Sequence, residues 1–176
     1  METFAALKVE IDSWRWRGVP FYIRAGKCLP ATLTEVVVRL RRPPTIFQSV
    51  DLQSNYFRFR ISPDNSIAFG LNFAVPDDET VGVSTEITAC RTPAPENMDA
   101  YERVLGDAMA GDPSLFARED YVEEAWRIVD PALKASTPIY QYDQKTWGPD
   151  EVENRVSPSG GWVNPAVSHT EDTVHQ

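Results

Sequence analysis

Along residues 56–75 apolar and polar positions alternate with a period of two. Phe57, Phe59 and Ile61 fall on one side of an extended chain, and Tyr56, Arg58 and Arg60 on the other. Ser62-Pro63-Asp64-Asn65 interrupts the alternation with a turn: proline presets one dihedral, and Asp and Asn bond to nearby backbone. The chain returns through Ile67, Phe69, Leu71, Phe73 and Val75, which predicts a β-hairpin. Its opposite face carries Ala68, Gly70, Asn72 and Ala74, small enough to admit close packing of another layer.

The same period predicts strands over Val19–Arg24, Glu35–Arg42 and Thr80–Ala89. In the second, Val36, Val38 and Leu40 share one side, with Val37, Arg39 and Arg41 on the other; Pro43-Pro44 ends it because proline cannot donate to a ladder. In the third, which follows Pro76-Asp77-Asp78, Val81, Val83 and Ile87 align. The first segment fits two patterns. Phe4, Leu7, Ile11 and Trp14 match one helix face, but Ala5, Leu7, Val9 and Ile11 alternate without a break, which favours a strand. It begins at full register with no lead-in, as if the chain started inside a larger domain.

After residue 100 the period changes to 3.6. Tyr101, Val104, Leu105, Ala108 and Met109 predict an amphipathic helix ended by Gly111 and Asp112-Pro113. Val122, Ala125, Trp126 and Val129 predict a second helix from about Arg118, with Pro131 closing it. Glu119, Asp120, Glu123 and Glu124 lie in its N-terminal half, where negative charge is favourable. Strands followed by helices give an α+β class: a mainly antiparallel sheet with helices packed on one face.

Composition narrows the function. With 176 residues, 42% of them apolar, the chain suits one domain with a real core. A net charge of -9 and a pI near 4.7 argue against nucleic acid as a partner. No apolar run approaches the length of a membrane span, and the N-terminus lacks a signal-peptide pattern. Cys28 and Cys90 form no metal-binding spacing and read as free thiols of a reducing compartment. A cytoplasmic location and no metal are therefore expected. The last quarter is rich in Pro, Gly, Ser, Asp and Asn, and residues 165–176 read as a disordered tail.

The chemistry concentrates in Arg15-Trp16-Arg17-Gly18-Val19-Pro20-Phe21-Tyr22-Ile23-Arg24-Ala25-Gly26-Lys27. Three arginines, a lysine and aromatic rings suit an anion or a sugar, and a solvated strand end has the same composition. Gly26 lets the backbone turn or approach a ligand closely. Lys27 stands at a strand end, where a rigid element positions a binding group. Neither Gly-x-Gly-x-x-Gly nor Gly-x-x-x-x-Gly-Lys-Ser/Thr occurs, since Gly26-Lys27 is followed by Cys28. The two histidines, His169 and His175, lie in the polar tail, so no catalytic base is placed. A cation beside Cys28 favours its thiolate, but no base accompanies it, and a passive thiol is the simpler reading. Arg39, Arg41, Arg58 and Arg60 read as solvated or internally paired strand residues. Trp14, Trp16 and Trp126 read as packing anchors.

Trp14-Arg15-Trp16 followed by Gly-Val-Pro-Phe-Tyr-Ile-Arg-Ala-Gly-Lys closely resembles the signature in the C-terminal part of glucose-6-phosphate dehydrogenase. The resemblance continues through Asn55–Ile61, Tyr101–Met109, Asp112–Phe116 and Val122–Trp126. It also covers Tyr142, Trp147-Gly148-Pro149 and Gly160-Gly161-Trp162.

The resemblance implies that residues 1–164 are the later part of that family's α+β domain. Its NADP-binding Rossmann domain, catalytic histidine and most sugar-phosphate contacts would lie upstream. By the same resemblance Lys27 is the ligand for glucose 6-phosphate, pairing as a point charge with the phosphate or a sugar oxygen. Arg24 matches the motif arginine, a position that in some relatives helps bind a second NADP. A further cation often lies five residues after the motif lysine; here that position is Thr32. The sheet would form a homodimer or larger assembly. The complete enzyme would oxidise glucose 6-phosphate with NADP, and this chain alone would be inactive. The alternative is a free-standing, non-catalytic binding or assembly module of the same descent.

Overall fold

The computed structural model describes residues 2–42, 54–75, 78–91, 99–135 and 137–165. The tail beyond 165, with His169 and His175, lies outside them, as do Pro43-Pro44 and Pro76-Asp77. Where the length suggested one domain, the chain divides into two compact units: Met1–Arg91 with Tyr140–Gln176, and Thr92–Ile139.

Among the described residues the first unit carries six strands: β1 (Phe4–Glu10), β2 (Pro20–Gly26), β3 (Thr34–Arg39), β4 (Tyr56–Ser62), β5 (Ser66–Val75) and β6 (Asp78–Cys90). A short helix, α1 (Glu151–Arg155), had no counterpart in the periodicity. Every strand pairing is antiparallel, and the first segment is a strand rather than a helix. The strands form two sheets rather than the single one expected: β1-β2, and β3-β4-β5-β6. After β2 the backbone leaves the ladder direction at Cys28, whose φ is 52°. The Cys28 carbonyl accepts from the Lys145 amide, 2.8 Å away, instead of from a neighbouring strand.

In the four-stranded sheet the register aligns Val38, Phe57, Phe69 and Ile87 in one cross-strand row, and Val36, Phe59, Ile67 and Ala89 in the next. Phe57 and Phe69 meet edge to face with centroids 5.2 Å apart. These apolar rows are nonetheless largely exposed: Val36 is 47% accessible and Ile87 52%. The opposite, polar face is the tighter one. Ala68 on that face is 3% exposed, because long polar side chains lie along it. Arg60 donates to Glu35, its register partner, at 3.1 Å, and the Glu35 side chain keeps 5% exposure. Arg58 pairs with Glu86. The small residues of β5 therefore admit neighbouring side chains of the same sheet. Arg39, Arg58 and Arg60 are internally paired, as expected.

The second unit holds α2 (Ala100–Ala110) and α3 (Glu119–Lys134). The Asp99 side chain accepts from the Tyr101 amide at 2.8 Å and caps α2, which ends at Gly111. Glu119 and Asp120 occupy the first turn of α3, as its dipole favours. Pro131 does not close α3. It sits inside the helix, which runs on to Lys134. One missing donor near a C-terminus removes a single bond, and the turn beyond is held by Ala135 N–H to Pro131 O at 3.1 Å and by the Lys134–Asp130 ion pair. The antiparallel sheets and helices bear out the α+β class.

The tryptophans divide. Trp16 packs edge-on against Phe21 with centroids 5.2 Å apart, as an anchor does. Trp14 is 90% and Trp126 58% exposed, so among the described residues neither is an anchor. Trp14 lies in the irregular turn between β1 and β2.

Candidate functional site

β1 and β2 pair so that Phe4 faces Gly26, Ala6 faces Arg24 and Lys8 faces Tyr22. Directly opposed residues share a side of the sheet, so Tyr22, Arg24 and Gly26 present one surface. The aperiodic segment 140–164 covers it. Its residues come from the last quarter, where no repeat marks them as structural.

Lys27 follows the last residue of β2. Its side chain is exposed and has no ion-pair partner among the described residues. Its backbone, by contrast, is held on both sides. The Lys27 amide donates to Thr3 O at 2.8 Å. The Tyr142 hydroxyl donates to Lys27 O at 2.8 Å, and Thr3 Oγ1 stands 3.2 Å from the same phenolic oxygen. The next residue, Cys28, is in the left-handed region, where a side chain is strained by about 1–3 kcal/mol. Cys28 and Cys90 are both free thiols.

Gly26 has a reason other than a turn or a ligand. A Cβ there would lie 2.7 Å from Phe4 Cδ2 and 3.2 Å from Leu29 Cδ2. At Gly148 a Cβ would lie 2.4 Å from Phe4 Cε2. The phenyl ring of Phe4 thus lies against two bare backbones, and its other neighbour is the Tyr142 ring, 5.4 Å away. The close approach that requires glycine before the lysine is made by a side chain of this protein.

Arg24 is enclosed. Its guanidinium carbon lies 4.7 Å from the Trp162 ring centroid and 5.0 Å from that of Trp147. One terminal nitrogen donates to Asn164 Oδ1 at 2.7 Å and the other reaches Trp147 O at 3.5 Å. Burial draws its pKa below the ordinary arginine value, with the charge of Glu153 opposing that shift. Trp162 also meets Tyr22 edge-on, and its indole N–H donates to Val156 O at 3.0 Å. Arg39 donates to Ser159 O and Gly161 O at 2.6 and 2.8 Å, tying the same segment to β3.

The structure brings Arg24 and Lys27 to the same end of β2 but gives them different surroundings. Thr32 lies in the loop before β3 and is exposed. Residues that the motif did not single out as site residues, Thr3, Tyr142, Trp147, Trp162 and Asn164, build the frame around them. The signal for the aromatic ones was their presence in a polar, proline- and glycine-rich segment where no periodic core calls for them. Among the described residues no cluster of His, Cys, Asp and Glu is arranged to hold a metal ion, and no helix is long and apolar enough to cross a membrane.

The family model for the glucose-6-phosphate dehydrogenase C-terminal domain matches residues 1–163. Glucose-6-phosphate 1-dehydrogenase of Aggregatibacter actinomycetemcomitans is 40% identical over 171 residues, covering 94% of this chain and 35% of that protein. Glucose-6-phosphate 1-dehydrogenase 1 of Mycobacterium tuberculosis strain H37Rv is 38% identical over 93% of this chain and 35% of its own length. The crystal structure of glucose-6-phosphate 1-dehydrogenase from Mycobacterium avium superposes with a TM-score of 0.79 at 37% identity, covering 94% of this chain and 36% of that one. A glucose-6-phosphate dehydrogenase in complex with its substrate glucose 6-phosphate gives 0.72 at 28% identity, over 93% and 35%. The chain thus spans about a third of the length of the relatives it matches. It belongs to the glucose-6-phosphate dehydrogenase C-terminal domain family.

Proposed function

We propose that this chain is the C-terminal portion of a cytoplasmic glucose-6-phosphate 1-dehydrogenase, with residues 1–164 as its domain. The complete enzyme oxidises glucose 6-phosphate at C1 to 6-phosphogluconolactone, the first oxidative step of the pentose phosphate pathway. Hydride passes to NADP and the hydroxyl proton to a base, both held outside this chain. Lys27 is the substrate ligand contributed here. The observation that carries this role is a contrast: the Lys27 backbone is fixed from two sides, yet its ammonium is exposed and unpaired among the described residues. A charge kept free on a rigid mount suits an anionic ligand.

Arg24 supports the site wall. Its guanidinium faces two indole rings and its donors bond within the chain, which suits a structural group better than a free NADP ligand. The four-stranded sheet is the surface through which a second copy associates, a reading supported by its exposed apolar rows.

In an assay with glucose 6-phosphate and NADP the purified chain is expected to be inactive. In the complete dehydrogenase, Lys27→Ala is expected to raise KM for glucose 6-phosphate by about 10-fold or more, the loss of one charged hydrogen bond. Robust NADP reduction by the chain alone, or an unchanged KM in the variant, overturns the respective claim.

A further inference from the structure

The exposed ammonium of Lys27 is aimed by a backbone that local structure alone does not define. β2 has ended, and Cys28 occupies a left-handed conformation that side-chain-bearing residues rarely adopt. Such a conformation persists where its surroundings over-determine it. Three groups do so here: Thr3 O takes the Lys27 amide, the Lys145 amide takes Cys28 O, and the Tyr142 hydroxyl takes Lys27 O. Of these, only Tyr142 acts on Lys27 through a side chain. Its hydroxyl donates to Lys27 O at 2.8 Å, the nearest of three acceptors; Thr3 O and Thr3 Oγ1 each stand 3.2 Å from the same oxygen. Its ring is set by Phe4, which Gly26 and Gly148 admit.

We propose that Tyr142 is a positioning residue for substrate binding: its hydroxyl holds the peptide between Lys27 and Cys28 so that the lysine ammonium meets the anionic or hydroxyl oxygens of the sugar phosphate. This rests on the reading of Lys27 as substrate ligand. Tyr142 touches no reacting atom in this scheme. It acts 115 positions away in sequence, through one main-chain carbonyl.

The test uses the dehydrogenase polypeptide that carries this chain, with Tyr142→Phe, Lys27→Ala and the double variant. Tyr142→Phe is expected to raise KM for glucose 6-phosphate by about 3- to 10-fold, the range of one hydrogen bond. Its kcat is expected to stay within about twofold and KM for NADP to stay unchanged. In the Lys27→Ala background the same substitution should add nothing, since the group it positions is gone. A general loss of kcat, a matching rise in KM for NADP, an additive double variant, or an unchanged sugar-phosphate KM overturns the proposal. If Lys27→Ala itself leaves that KM unchanged, the ligand reading fails and the positioning role falls with it. If Lys27→Ala raises it and Tyr142→Phe does not, only the positioning role fails. Should Tyr142→Phe not fold, Thr3→Val removes the hydroxyl beside Tyr142 Oη and takes its place, with the same pattern expected at smaller amplitude.

Discussion

The ring of Tyr56 lies across the backbone of Gly70, its register partner on the adjacent strand, and a Cβ at position 70 would sit 2.1 Å from Tyr56 Cε1. The ring crosses this bare position to place its hydroxyl 2.5 Å from Glu86 Oε2, and Glu86 is the residue opposite Gly70 on the third strand. Three strands are thereby tied through one aromatic side chain on the sheet's polar face.

Gly70→Ala should therefore destabilise the protein, although alanine ordinarily suits a strand better than glycine. Overpacking a fitted contact costs about 1–3 kcal/mol, and the ring cannot swing aside without losing Glu86. Urea unfolding of the first unit should show that loss. In a Tyr56→Ala background the same substitution should be close to neutral, because the obstacle is gone. Equal costs in both backgrounds would refute the contact as the cause.

Arg24→Lys preserves the charge but not the flat guanidinium facing Trp147 and Trp162, nor its two separate donors to Asn164 Oδ1 and Trp147 O. A loss of about 1–3 kcal/mol is expected from the two ring contacts and the bond to Asn164. Tryptophan emission should shift to longer wavelength as the indoles become wetter. A variant as stable as the parent with unchanged emission would show that the cage contributes nothing.

These two sites show where the sequence was legible. Alternation at Tyr56–Ile61 and Ile67–Val75 marked both strands and their turn, because an exposed or half-exposed strand segregates its residues by face. It predicted the β4-β5 hairpin but not which of the other strands pair, so the separation of β1-β2 from the larger sheet was not readable. Nor did it show that the polar face would pack more tightly, since that depends on Tyr56 and Arg58 lying over Gly70 and Ala68 across strands. The Arg-Ala-Gly-Lys run marked the end of β2. The purpose of its glycine was hidden, because Phe4 meets Gly26 only through register. Tyr142, Trp147 and Trp162 lie in a stretch without periodicity, and the partners that tie them to β2 and its end are more than 100 positions away.

Pro131 was expected to end its helix and instead lies within it, which gives a separate test. Pro131→Ala restores an N–H able to bond the Arg127 carbonyl and removes the ring's clash with it. The second unit should gain about 1 kcal/mol or more, below the roughly 3 kcal/mol of a mid-helix proline because the position is in the last turn. Far-UV circular dichroism should show a higher melting temperature for helix loss. A lower one would indicate that the proline ring makes a contact worth more than the bond it removes.

The Tyr56–Glu86 contact also makes stability depend on pH. The phenol donates to the carboxylate, and this hydrogen bond is the first cause of a pKa raised above the ordinary tyrosine value of 10.0; partial burial adds to it and Arg58 opposes it. The folded state then holds the phenolic proton more tightly than the unfolded chain does. The stabilisation is fully present below pH 10 and is lost as pH rises through the higher folded-state value, because in that interval only the unfolded chain releases the proton. Denaturation midpoints followed from neutral pH upward should stay level on this account and then fall above about pH 10. Tyr56→Phe should begin from a lower stability, having lost the bond, and should fall less steeply in the alkaline range, having lost the titrating group. Subtracting the variant's pH profile from the parent's isolates this one contribution, so the difference between the two is the decisive quantity. A difference that does not shrink with rising pH would mean that Tyr56 and Glu86 are not bonded in solution.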